Sequence, residues 1–260
     1  MKAQVLMNDL LLKQSNNTAR IEVFASAQAA SEAVADKILA TVRSNPKAVL
    51  GLATGQTPRR VYAKLVDAVK NGQISFGEAT TFNLDEYCGL SASHADSFAA
   101  YMQRELFAAT DFDGDKINLI DGAAPDIHAE AKRYAQLLAA TPIDLQLLGI
   151  GTNGHIGFNE PGSSPDSRVR IVELSEETLN ANQPTLIKLE EVPGKAITMG
   201  IADILDAREI IILATGAAKA EAVRRSIEDL PDADCPASYL SSHGNVHWFL
   251  DENSAALLSK

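Results

Sequence analysis

Three side chains of contrasting chemistry stand close together in mid-chain: the amide of Asn153, the imidazole of His155 and the carboxylate of Glu160. His and Glu are the usual side chains for moving protons, and one short loop holding all three suits acid–base work better than simple connection. Asp85 directly follows an apolar run, where partial desolvation would raise its pKa and suit it to act as a base. The stretch Ala53-Thr54-Gly55-Gln56-Thr57-Pro58 offers free backbone N–H groups at a helix start, with Gly55 allowing close approach and Thr54 and Thr57 adding hydroxyls. Such a turn favours an anion such as phosphate. Lys219 stands in the first turn of a later helix, where a cation opposes the helix dipole, so a bound anion would account for it.

Each feature also has a plainer reading. The 54–57 turn could be an ordinary capped turn, and Lys219 a solvated surface cation. Asp85 or Glu86 could cap a turn, and His155 could be a hydrogen-bonded structural residue. Gly149, Gly151 and Gly154 match the spacing of a dinucleotide fingerprint, but that motif opens a helix at once, whereas this loop runs into Asn159-Glu160-Pro161-Gly162. One His and one Glu five residues apart make no metal-ligand set.

These residues need a scaffold that brings distant segments together. Short apolar runs at 21–24, 47–53, 79–84, 117–120, 144–148, 209–214 and 245–250 read as strands. Helical patterns fill 26–44, 58 onward, 96–108, 125–140, 196–207, 217–228 and 251–258, with Ser26 and Thr57 as N-caps and Pro58 in a first turn. This alternation predicts an α/β fold: a doubly wound, mostly parallel sheet with helices on both faces. In such sheets ligands bind beyond the carboxyl ends of the strands, where the winding reverses. The polar loops at 54–57, 85–87, 151–160 and 215–216 all follow strands, so a parallel sheet would gather them on one edge. Residues 162–195 are rich in Ser, Pro, Asn and Glu with weak periodicity and read as a partly irregular flap over that edge. Residues 1–260 are expected to form a single domain.

Composition narrows the partners. The formal charge of −11 argues against general nucleic-acid or anionic-membrane binding. Cys88 and Cys235 form no disulfide framework and read as packing residues. Neither a signal peptide nor a membrane helix is legible, so a cytoplasmic location is expected.

Taken together, Leu-Ala-Thr-Gly-Gln-Thr-Pro at 52–58, Phe-Asn-Leu-Asp-Glu-Tyr at 82–87, the stretch at 149–161 ending His-Ile-Gly-Phe-Asn-Glu-Pro, and Ala-Ile-Thr-Met-Gly-Ile at 196–201 resemble the glucosamine-6-phosphate deaminase (isomerase) family. The resemblance runs over about residues 20–258 and is most specific around His155. It implies conversion of an aldose amino-sugar phosphate to a ketose phosphate with release of ammonia, needing no metal or organic cofactor. The phosphate would sit on Thr54, Gly55, Gln56 and Thr57 with Lys219. His155, supported by Asn153 and Glu160, would open the sugar ring, and Asp85 would carry the C2 proton toward C1. The alternative substrate is the galactosamine epimer. Alternative activities on the same scaffold are a 6-phosphogluconolactonase-like hydrolase and a sugar-phosphate-binding regulatory domain.

Three departures from the family pattern stand out. Asn153 occupies a position where some members carry Asp. The flap reads Asn182-Gln183-Pro184 where many members place a phosphate-gripping Arg, leaving Lys188 or Arg168 as substitutes. The chain also stops soon after Leu258, which argues against the effector site and hexameric assembly of longer relatives; monomer and homo-oligomer both stay open.

Overall fold

The computed structural model describes residues 19–174 and 193–259. Its main sheet holds strands β1 (Arg20–Phe24), β2 (Val49–Leu52), β3 (Thr80–Asn83), β5 (Ile117–Asn118), β6 (Leu145–Leu148), β9 (Ile210–Ala214) and β10 (Val246–Asp251). Their spatial order is β1-β10-β9-β6-β2-β3-β5, and every neighbouring pair is parallel. A smaller antiparallel sheet joins β4 (Asp85–Tyr87), β8 (Lys195–Thr198) and β7 (Arg170–Glu173), in that order.

Strand β9 is apolar in both directions, and the packing explains why. Along β9, Ile211 and Leu213 enter one core while Ile210, Ile212 and Ala214 enter the other. Helices α1 (Ala27–Ser44), α2 (Arg59–Lys70) and α3 (Phe98–Glu105) supply the first core, and α4 (Ile127–Ala140) and α6 (Ala220–Glu228) the second. The short α5 (Ile201–Leu205) adds Ile204 to the second. A strand sandwiched in this way has no solvent face, so it loses the alternation of a half-buried strand. Burying each such side chain is worth ~1.5–3 kcal/mol, and Ile212→Ala would cost ~2–5 kcal/mol.

Several expectations need correction. Residues 196–207 are not one helix: 195–198 form β8, which pairs with both β4 and β7 before α5 begins. The 85–87 segment is a buried strand rather than a loop. Of the expected, partly irregular flap at 162–195, Arg170–Glu173 form β7, and 175–192 lie outside the described residues. Pro58, not Thr57, occupies the cap of α2, and it makes no side-chain capping bond. Residues 252–257 form turns rather than a helix.

The winding matters most for function. From β2 the chain passes outward through β3 to β5, and from β6 it passes the other way through β9 to β10. The reversal lies between adjacent β2 and β6, which are in register at Leu50 with Leu145 and Gly51 with Gln146. An added Cβ on Gly51 would lie 1.9 Å from Gln146 Oε1, so glycine lets the central strands carry that buried amide.

Candidate active site

A cleft of about 350 Å³ opens beyond the carboxyl ends of the parallel strands, at the reversal. That volume suits a small molecule. The 54–57 loop after β2 forms one wall and Gly149–Thr152 with His155, after β6, the facing one; Asp85 enters from β4, and Lys219 from the segment after β9.

The 54–57 loop turns sharply at Gly55, whose φ of 110° favours glycine. It leads into α2, whose cap residue Pro58 lines the cleft, so the helix starts at the cleft wall, where unpaired first-turn N–H groups and the helix dipole favour negative charge. Tyr62 and Tyr101 hold the loop from behind by donating to the carbonyls of Ala53 at 2.5 Å and Gly55 at 2.6 Å. Lys219 ends a 3₁₀ turn, Ala217–Lys219, ahead of α6. The preceding bend is fixed by Asp251, whose two carboxylate oxygens accept from Gly216 N at 3.0 and 3.1 Å. Burial holds the Lys219 pKa below its usual value. A partly desolvated ammonium and a helix start lining one cleft suit negative charge.

Asp85 is 6% exposed. Desolvation first, then the neighbouring charge of Glu86, pushes its pKa up to about 8. Its carboxylate lies under Gly157: a Cβ there would come within 3.3 Å of Asp85 Oδ2 and 3.1 Å of Thr198 Oγ1. Gly157 has a φ of 57°, so glycine serves both the turn and the access to the carboxylate.

The His155 loop is a linked set. Asn153 Nδ2 donates to Glu160 Oε2 at 2.9 Å, so Oδ1 faces the imidazole and accepts from His155 N at 3.2 Å and Nδ1 at 2.7 Å. An amide oxygen can only accept, which puts the ring hydrogen on Nδ1. Glu160 Oε2 lies 3.4 Å from the same nitrogen. An aspartate at 153 would lack the N–H that reaches Glu160. The ring packs over Gly151, where a Cβ would fall 2.2 Å from His155 Nδ1. Asn153 and Glu160 hold His155 from outside the cleft lining.

Sequence reasoning missed Phe98 and Phe158, which line the cleft with ring centroids 5.9 Å apart. Apolar residues carry no chemical mark, and only tertiary packing places them here. Arg168 is not in the cleft; it pairs with Asp203 at 3.2 Å and with Asp206, beside a separate groove. Lys188 and the 182–184 stretch lie outside the described residues. Among the described residues no three His, Cys, Asp or Glu side chains group closely enough to hold a metal ion, and no helix is long and apolar enough to cross a membrane.

Comparison with known proteins agrees with this geometry. The family described as glucosamine-6-phosphate isomerases/6-phosphogluconolactonase matches residues 22–248. The glucosamine-6-phosphate deaminase of Rhodopirellula baltica is 50% identical over 245 residues, covering 94% of this chain and 98% of the relative. That of Bacillus velezensis is 46% identical, covering 86% and 94%. Among solved structures, a monomeric glucosamine-6-phosphate deaminase superposes with a TM-score of 0.86 at 40% identity, covering 92% of this chain and 99% of that one. The 6-phosphogluconolactonase of Trypanosoma brucei gives 0.78 at 25% identity, covering 94% and 100%. The sheet that reverses between β2 and β6, the loops gathered there and these matches along nearly its whole length make this chain a member of the glucosamine-6-phosphate isomerase/6-phosphogluconolactonase family.

Proposed function

We propose that the protein converts glucosamine 6-phosphate and water to fructose 6-phosphate and ammonia. One observation carries this reading: a buried carboxylate with a raised pKa, an oriented imidazole and an anion seat line a single cleft. The relatives named as deaminases support the substrate.

The substrate phosphate binds to the 54–57 loop, the first turn of α2 and Lys219. His155 moves the proton between the ring oxygen and the C1 hydroxyl, breaking the hemiacetal and exposing the C1 aldehyde. Only then is the C2 hydrogen acidic, because the electrons left by its removal can delocalise onto the C1 oxygen. Asp85 takes that proton. The resulting enol–amine carries a C1–C2 double bond, and Asp85 returns the proton to C1. The C2–nitrogen bond becomes an imine; water adds to it, and ammonia leaves as the C2 ketone forms. Two acid–base groups are needed because ring opening and carbon deprotonation occur at different atoms, and each group typically contributes ~10²–10⁴-fold. Burial tunes Asp85 to accept a proton near neutrality without an external cofactor.

Incubation with glucosamine 6-phosphate should release ammonia and fructose 6-phosphate in equal amounts. Hydrolysis of 6-phosphogluconolactone with no ammonia from any hexosamine phosphate would overturn the assignment.

A further inference from the structure

Helix α3 touches both halves of the cleft without carrying any of the proposed acid–base groups. Its first residue, Phe98, lines the cleft, and Tyr101, one turn on, donates to the Gly55 carbonyl at 2.6 Å. The helix is anchored from β4. Glu86 Oε1 accepts from Phe98 N at 3.0 Å and from Tyr87 N at 2.8 Å, and Oε2 accepts from Ala99 N at 2.8 Å. Ser97 Oγ, at the N-cap, accepts from Ala100 N at 3.0 Å. The first N–H groups of a helix have no intrahelical partner, and here two of them are met by a carboxylate from another element.

Successive side chains of a strand point to opposite sides. Asp85 therefore faces the cleft while Glu86, the next residue, reaches back to α3. The far side is closed by Gly122, where a Cβ would lie 2.2 Å from the Tyr87 carbonyl and 3.1 Å from Glu86 Cγ. Glu86 is 3% exposed, so its position is set by packing and three N–H bonds rather than by solvent.

We propose that Glu86 is a positioning residue: through α3 and the Tyr101–Gly55 bond it fixes the separation between the Asp85 carboxylate and the 54–57 loop. This rests on the reading of Asp85 as the base and of that loop as the phosphate seat. A sugar phosphate held at its phosphate end must present C2 to Asp85, and a misplacement of about 1 Å can cost ~10²-fold in rate. A strand clamped to a helix sets that span more firmly than loops alone. The Glu86 charge also acts on Asp85; burial raises the Glu86 pKa itself to about 7, so that charge is present near and above neutrality, where Asp85 titrates. Tyr87 and Cys88 on the same segment, and Asp96 ahead of α3, share that surrounding. His155 and Lys219 face Asp85 across the cleft, and Tyr134 of α4 also feels its charge.

The test compares the full-length parent with Glu86→Gln, Glu86→Asp and Tyr101→Phe, using glucosamine 6-phosphate as substrate and inorganic phosphate as competing ligand. Glu86→Gln loses one accepting oxygen and the charge. Its kcat should fall about tenfold or more, and the acid limb of kcat/KM should move to lower pH by roughly 0.5–1 unit. Glu86→Asp keeps the charge but not the reach, so kcat should fall with the limb in place. Tyr101→Phe cuts the same link at its loop end, so kcat should fall about three- to tenfold and KM and the phosphate inhibition constant should rise by a similar factor. If both Glu86 variants keep kcat and the acid limb while only the melting temperature drops, Glu86 is a structural cap and the proposal fails. It fails equally if Tyr101→Phe leaves kcat, or both KM and phosphate inhibition, unchanged. Should Glu86→Gln not fold, Glu86→Asp and Tyr101→Phe decide the matter alone. Asp85→Asn run alongside separates the two claims: C2 exchange persisting in that variant would reject the base, whatever Glu86 does.

Discussion

Asn153 Oδ1 and His155 Nδ1 lie 2.7 Å apart, and the same amide reaches Glu160 through Nδ2 at 2.9 Å. One side chain thus fixes both the tautomer of the imidazole and its link to the carboxylate, leaving Nε2 as the nitrogen able to exchange protons with a substrate. Asn153→Ala would release the ring. The expected result is a fall in kcat of about tenfold or more with the ring-closed sugar and a smaller fall with an open-chain analogue, because the proposed mechanism uses the imidazole only for ring opening. Equal losses on both, measured by steady-state kinetics, would give the imidazole another task.

The Asp85 carboxyl makes a prediction about stability. Its folded pKa of about 8 lies above the ordinary value of 3.8, so the fold favours the protonated form. That contribution is intact below pH ~4 and is lost as pH rises through ~8, where the buried group must ionise. Asparagine has no such proton to lose. The melting temperature of Asp85→Asn relative to the parent should therefore climb between pH ~4 and ~8, by the equivalent of a few kcal/mol at most. A difference that stays flat over this range, followed by calorimetry, would mean that burial does not strain the carboxyl.

In the proposed mechanism Lys219 serves binding rather than chemistry. Lys219→Ala removes the half-buried cation of the proposed anion seat and should raise KM about 10- to 100-fold, the equivalent of ~1.5–3 kcal/mol for a charge-assisted bond, with kcat little changed. An unchanged KM in steady-state assays would remove Lys219 from the phosphate seat.

Much of this arrangement was legible in the chain because the chemistry sits at strand ends. Residues 145–148, apolar but for Gln146, and the continuous apolar run 210–214 read as strands, so they and their polar exits at Gly149 and Thr215 could be read locally, and parallel pairing then gathered those exits on one edge. What depended on non-local pairing was not legible. Ala196, Ile197 and Thr198 carry no period long enough to separate helix from strand, and they become β8 by pairing with Tyr87, Glu86 and Asp85 on one side and β7 on the other. The same pairing buries Asp85 and Glu86, which look like loop residues in sequence. Glu86 is a cap, as its residue type allowed, but the helix it caps begins twelve residues away at Phe98. Phe98 and Phe158 pack with Tyr87 in a small core beneath β4, so their place beside the cleft arises from an aromatic cluster and not from a local pattern.

The role of Asp85 can be read from one isotope experiment. Parent and Asp85→Asn are each incubated with glucosamine 6-phosphate in deuterated water, and hydrogen at C2 of the recovered sugar and at C1 of the product is followed by nuclear magnetic resonance. With the parent, the proton held on Asp85 exchanges with the solvent before its return, so deuterium should appear at these carbons; with Asp85→Asn, whose proposed phosphate seat still binds the sugar, none should. Continued exchange in Asp85→Asn at a rate near that of the parent would contradict this role.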